Sequence, residues 1–205
     1  MILDEFSYIT LSEMTGNIRT DVGNLFEQNG KSRTFTHVVN VARVNSEIAK
    51  QFGLDIDKCI IGGLLHDISA IISPKDMLKY AQDNDFKICD AELTFPFLLH
   101  QKVSKIIAIE YFDIIDHDIL SSIECHTTLK SNPSKYDMAL FIADKLAWDQ
   151  DGIPPFYHSV EAALNLSLEK ACYEYMTFMN DNGKVLCPHI NWNLACEWLA
   201  FNTRV

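Results

Sequence analysis

Leu64-Leu65-His66-Asp67 sets an imidazole and a carboxylate side by side at the end of an apolar helical run. Neighbouring polar groups turned toward an interior need a partner there, because an unpaired carboxylate in apolar surroundings costs several kcal/mol or more. A metal ion satisfies both residues at once. The pair therefore calls for further ligands elsewhere in the chain, on elements that must all converge on this point.

The 205 residues suffice for one substantial core, and a composition 48% hydrophobic and 11% aromatic excludes a disordered chain. One globular domain over 1–205 is expected, with residues 1–30 as an N-terminal helical extension. The start, Met1-Ile2-Leu3-Asp4-Glu5, lacks a basic leader, and no apolar run approaches the roughly 20 residues of a membrane span. A cytoplasmic location follows as an expectation, with no membrane partner. Six cysteines without a CxxC pair read as free thiols. Lys plus Arg total 17 against 28 Asp plus Glu, and this acidic balance argues against nucleic acid as a partner. A phosphorylated ligand would need local positive charge, which bound metal supplies.

Around the central pair the pattern is helical. One helix is expected from about Asn17 to Gln28, ended by Asn29-Gly30, and another from about Thr34 to Phe52, with His37 in its first turn and Gly53 as its C-terminal cap. Asp55 caps the helix that runs to His66, and Gly62-Gly63 within it mark close backbone packing. Ser73-Pro74 opens the next helix. Phe95 to His100 brings a third histidine to the end of a short apolar run, ahead of a helix from about Val103. A helix capped by Asp116 or Asp118 ends in His126, and the stripe Tyr136 to Trp148 contains Asp144. A long helix from about Tyr157 to Asn180 and a short one from Trp192 to Phe201 complete the chain. Alternating strand patterns and fixed-period repeats are missing, so the fold class is all-α.

Five motifs carry a family resemblance: Thr36-His37-Val38, Leu64-Leu65-His66-Asp67-Ile68-Ser69, Leu98-Leu99-His100, His126-Thr127-Thr128 and Ile142-Ala143-Asp144-Lys145. In this order they resemble the HD-domain metal-dependent phosphohydrolases, closest to the YqeK-like symmetrical dinucleoside-tetraphosphate hydrolases, over about residues 31–200. The resemblance implies an HD-domain helical bundle with a dinuclear centre. His37, His66, Asp67 and Asp144 would surround one metal, Asp67 would bridge, and His100 with His126 would hold the second. It implies iron first, with manganese, magnesium, zinc or nickel as alternatives. His66 and Asp67 become the catalytic pair, presenting a metal-bridging hydroxide to phosphorus. The donor types agree, since imidazole with carboxylate suits iron, manganese or zinc better than calcium.

The chain departs from the family at groups that should touch substrate. Ala70 stands where a lysine usually follows the His-Asp pair, Gln101-Lys102 replaces Gly-Pro, Leu129 replaces Gly, and Trp148-Asp149-Gln150-Asp151-Gly152 replaces a Pro-Gly-Arg stretch. Proximity in sequence makes Arg33, Lys102, Thr127, Thr128 and Lys145 the substrate-binding candidates, with Lys102, Lys130 or Lys145 able to replace the missing cations. The expected partner is a nucleotide small molecule, and the expected reaction is symmetrical cleavage of a dinucleoside tetraphosphate. The alternatives are a nucleotidase with the same centre and a binding module without turnover. A homodimer is possible on this reading. His117, His158 and His189 match no motif and stay outside the site. Trp148, Phe156 and Tyr157 read as core packing first and as a base-stacking wall second.

Overall fold

A computed structural model describes residues 1–148 and 150–203; Asp149, part of the departure after Asp144, lies outside them. Among the described residues there is no strand, and the chain is all-α. It forms α1 (Ile18–Gln28), α2 (Ser32–Phe52), α3 (Ile56–Leu65), α4 (Pro74–Asp83), α5 (Asp90–Thr94), α6 (His100–Glu110), α7 (His117–Cys125), α8 (Lys135–Leu146), α9 (Tyr157–Leu164), α10 (Leu168–Asp181) and α11 (Ile190–Asn202). None is long and apolar enough to cross a membrane.

Local chemistry sets the starts and stops. Asn17, Asp55, Ser73, Asp116 and Ser134 each accept a hydrogen bond from a first-turn backbone N–H, supplying a partner that a helix start otherwise lacks. Gly53 closes α2 in the left-handed conformation, φ 65°. Three boundaries differ from the sequence reading. His100 itself opens α6, because a 3-10 turn over Pro96–Leu99 feeds directly into it. The helix expected over 157–180 is divided at Asn165-Leu166-Ser167, where the Ser167 hydroxyl caps a new helix by accepting from Lys170 N. The last helix begins at Ile190, capped by His189.

The centre of the bundle is α2, α3, α6, α7 and α8, with α3 against both α2 and α7, α8 against both, and α6 on α7. Val38, Val41, Leu65, Ile107, Ile123, Phe141 and Ile142 fill it with no solvent exposure. The N-terminal stretch packs, as its apolar face suggested: Val22, Leu25 and Phe26 are fully buried, and Ile2 and Leu3 reach the same core. The glycine pair in α3 lets this helix lie directly on α2. A Cβ at Gly63 would sit 2.5 Å from Ala42 Cα, whereas one at Gly62 would meet side chains alone, the Ser122 hydroxyl at 3.2 Å and Leu140 Cδ2 at 3.7 Å.

Gly63→Ala should therefore push α3 off α2. An overpacking penalty of about 1–3 kcal/mol corresponds to a fall of roughly 3–10 °C in melting temperature. Gly62→Ala, measured by the same thermal unfolding, should be the milder change.

Candidate metal centre

Helix ends deliver the polar side chains. His66 is the residue at which α3 stops, His126 plays the same part for α7, and Asp144 lies in the last turn of α8. His100 starts α6, and His37 occupies the second turn of α2. Three of the five helices thus aim C-terminal ends at one place, and the partial negative charge there favours a cation.

The structure brings all six sequence candidates, His37, His66, Asp67, His100, His126 and Asp144, into overlapping groups. His37, His66 and Asp67 form one, His66, His126 and Asp144 a second, and Asp67, His100 and His126 a third, with the donor atoms of each within 4.8 Å of one another. Asp67 divides its oxygens: Oδ2 lies 3.6 Å from His66 Nε2, while Oδ1 lies 3.4 Å from His100 Nε2 and 3.5 Å from His126 Nε2. Asp144 Oδ1 stands 3.2 Å from His37 Nε2 and 3.6 Å from His66 Nε2.

The proton positions test whether a cation fits. Nδ1 of His66 donates to Gly63 O at 2.8 Å, Nδ1 of His100 to Phe97 O at 2.5 Å, and Nδ1 of His126 to Ile123 O at 2.8 Å. Each acceptor is the carbonyl three residues back; Gly63 O and Ile123 O stand at the C-terminal ends of α3 and α7, where carbonyls run short of N–H partners, and Phe97 O accepts the His100 backbone N–H as well. A neutral imidazole has one N–H, so with Nδ1 protonated each Nε2 presents a bare lone pair. His66 Nε2 is buried with no hydrogen-bond partner. His100 Nε2 and His126 Nε2 face each other at 2.9 Å. Convergent lone pairs beside two carboxylates are the donor set of a metal site, and the residues fit the ion.

Charge points the same way. Burial raises the Asp67 carboxyl, but His66, His126 and His100 outweigh it and hold its pKa far below the ordinary value. Burial also opposes ionisation of Asp144, and Lys145, His37 and His66 reverse that effect. Burial, reinforced by His100 and His66 and opposed by Asp67, pushes His126 down to about 4, so it stays neutral at pH 7. Burial disfavours a charged His66, yet Asp67 and Asp144 prevail and raise it, so this corner attracts positive charge.

Hydrogen bonds behind the ligands fix their frames. Ser69 Oγ donates to His100 O at 3.0 Å and accepts from Ser104 Oγ at 2.9 Å, bolting the turn after Asp67 to α6. Gln101 is buried; its Oε1 accepts from Thr127 N at 3.3 Å and its Nε2 donates to Thr128 Oγ1 at 3.2 Å. The departure at Gln101 thus has work of its own, tying α6 to the turn after His126. Leu129 holds φ 54°, the left-handed region that favours glycine, and retains it as a fully buried core residue.

The substrate candidates scatter. Thr127 Oγ1 lies 3.1 Å from His100 Nε2, at the centre's edge. Thr128 is buried and bonded to Leu129 O and Gln101. Lys145 is at the site but paired with Asp144, and Arg33 is exposed on α2, one turn before His37. Two expectations need correction: Lys102 Nζ is engaged by Glu92 at 2.6 Å, and Lys130 Nζ by Asp137 at 3.0 Å, so neither supplies a free cation.

Two pockets adjoin the centre. One, about 240 Å³, is bordered by Thr127, Thr128, Phe97 and Trp192; the other, about 480 Å³, by His37, Asp144, Trp148 and Phe156. Tyr175, Met179, Lys145 and Lys184 border both. Trp148 is a pocket wall, Phe156 packs on Tyr175 and Phe178 as well, and Tyr157 stacks on His158 outside the pocket. The sequence reading missed Tyr175 and Lys184, which carry no motif, and Gln101, which it took only as a loss.

His189, left outside the site, caps α11 by accepting from Asn191 N through Nδ1 at 3.1 Å. Its proton therefore sits on Nε2, 3.5 Å from Glu92 Oε1, the tautomer opposite to that of His66, His100 and His126. Cys89, Glu92 and His189 cluster like ligands, but this tautomer and the Lys102 ion pair make the cluster a structural latch.

Comparison with known proteins agrees with the geometry. The HD domain family model matches residues 34–149, and the chain belongs to this family; it is an HD-domain hydrolase. It is 37% identical over 155 residues to an uncharacterized protein in the pepC 5' region of Lactococcus lactis subsp. cremoris, covering 75% of this chain and 76% of that one. It is 24% identical to the symmetrical bis(5'-nucleosyl)-tetraphosphatase of Bacillus subtilis strain 168, covering 81% and 89%. A crystal structure from Clostridium acetobutylicum, described as a "predicted HD superfamily hydrolase involved in NAD metabolism", shares the fold with a TM-score of 0.80 at 23% identity, covering 93% of this chain and all of that one.

Gln101→Ala should cost about 1–3 kcal/mol of stability, the penalty of leaving its partners at Thr127 and buried Thr128 unpaired; denaturant unfolding measures it. For Glu92, burial raises the carboxyl, but His189, Lys102 and the Cys89 amide prevail and lower it to about 2. A depressed carboxyl stabilises the fold above its unfolded pKa and loses that contribution as pH falls through the folded value. The stability difference between wild type and Glu92→Gln, on the order of 3 kcal/mol above pH 5, should shrink toward zero near pH 2 in denaturant titrations.

Proposed function

We propose that this hydrolase cleaves a nucleotide phosphoanhydride at a centre of two metal ions, splitting dinucleoside tetraphosphates symmetrically into two nucleoside diphosphates. The observation that carries this reading is the division of Asp67. One oxygen turns to His66 and the other to His100 and His126, so the six donors separate into two sets that share a single carboxylate. His37, His66, Asp67 and Asp144 would hold one ion, and Asp67, His100 and His126 the other. A nitrogen and oxygen donor set without thiolate supports iron, with manganese or zinc as the nearest competitors.

Two divalent ions held by two carboxylates and neutral imidazoles would carry roughly +2, a charge that would attract phosphoryl oxygens and supply hydroxide near neutral pH. The chain's own groups do the rest. The three Nδ1–H bonds fix the tautomer of His66, His100 and His126 and aim each Nε2 inward. Lys145 holds Asp144, leaving Oδ1 directed at His37 and His66. Thr127 offers a hydroxyl at the His100 side, where a phosphate oxygen would lie. A side-chain nucleophile is unnecessary.

Two aromatic-edged pockets that share a border at Lys145, Tyr175, Met179 and Lys184 support a substrate with a nucleoside at each end, and stacking on Phe97 or Trp148 suits a base. The relatives named symmetrical tetraphosphatases support the same substrate.

Metal-loaded protein incubated with a dinucleoside tetraphosphate should yield nucleoside diphosphate as the sole nucleotide product, resolved by ion-exchange chromatography. A mixture of mono- and triphosphate, or release of inorganic phosphate, would overturn the symmetrical assignment. Asp67→Ala should lose both ions in elemental analysis and at least ~100-fold in turnover; full metal content in that variant would refute the bridge.

A further inference from the structure

The two pockets meet at a partition made of Lys145, Tyr175, Met179 and Lys184. Its two cations differ in kind. Lys145 is half-buried, paired with Asp144, near His126 O at 3.4 Å, and set over the rings of Phe141 and Tyr175 at 5.3 and 6.0 Å. That charge is fixed inside the site. Lys184 is exposed and forms no ion pair among the described residues.

Its backbone is held even so. Gly183, left-handed at φ 61°, donates N–H to Asn180 O at 3.0 Å, and Lys184 N donates to Met179 O at 2.9 Å, the paired bonds that close a helix C-terminus. The α-carbon of Lys184 is thus pinned to the end of α10, and the residue borders both pockets. Lys102 and Lys130 are engaged by Glu92 and Asp137.

We propose that Lys184 is the specificity residue for polyphosphate: its ammonium binds a phosphate that flanks the cleaved linkage where the chain passes from one pocket to the other. The assignment rests on the phosphoanhydride reading above and adds its selectivity for substrates with several phosphates. A single phosphate held at the metal centre has no group at the partition and gains nothing from Lys184.

Binding of inorganic tripolyphosphate and of inorganic phosphate to metal-loaded wild type, Lys184→Ala and Lys184→Arg, by calorimetry, tests this independently of turnover. Lys184→Ala should bind tripolyphosphate about tenfold more weakly, the effect of one hydrogen bond to a charged group. Lys184→Arg should stay near wild type, phosphate affinity and melting temperature should not move, and the wild-type tripolyphosphate affinity should fall more steeply with salt than that of the alanine variant. Unchanged tripolyphosphate affinity in Lys184→Ala overturns the proposal. So does equal weakening for both anions with a lower melting temperature, which marks a structural role. Absence of dinucleoside tetraphosphate turnover by wild type would instead remove the substrate reading and leave the Lys184 comparison intact.

Discussion

Everything at the centre depends on one repeated hydrogen bond, from an imidazole Nδ1 to the carbonyl three residues earlier. It occurs at His66, His100 and His126. At His66 and His126 a helix end leaves carbonyls short of partners, and the histidine placed just there satisfies one while committing the single proton of its neutral ring; at His100 the ring adds a second bond to a carbonyl that the 3-10 turn already uses. The ring is then oriented, and its other nitrogen is left bare and pointing inward. Helix termination and ligand preparation are thus a single event, which explains why His66 and His126 sit where α3 and α7 stop.

Much of this was legible in the chain. Apolar periodicity and the caps Asp55, Ser73 and Gly53 gave the helices, and polar residues ending apolar stripes gave the six candidate ligands. Long-range pairing was less accessible. Nothing in the local sequence states that Lys102 meets Glu92, ten residues earlier, or that Lys184 stands beside Tyr175, since these depend on how helices pack. The break at Ser167 was hidden because residues on both sides continue the same apolar stripe, and a hydroxyl that caps looks in sequence like any exposed serine. His189 was excluded by its lack of a motif, and its proton on Nε2 agrees with that exclusion on physical grounds.

The departures from the family sort by what they touch. Gln101 builds a cross-link that orders the Thr127-Thr128 turn, and Leu129 accepts a left-handed backbone while filling core space with its side chain. Both are internal solutions to the same geometric problem, holding α6 and the end of α7 in register around two imidazoles that nearly touch. Ala70 follows Asp67 without a cation, and the lysines that border both pockets are Lys145, from α8, and Lys184, from the turn after α10.

The origin of the pocket walls separates two segments of the chain. All six donor residues lie before the end of α8, whereas Tyr175, Met179, Lys184 and Trp192 come later, from α10, the turn after it and α11. Of the four residues that border both pockets, Lys145 alone belongs to the same block of chain as the candidate donors, which runs from His37 to Asp144. The pocket walls are thus contributed chiefly by a segment that carries none of those donors.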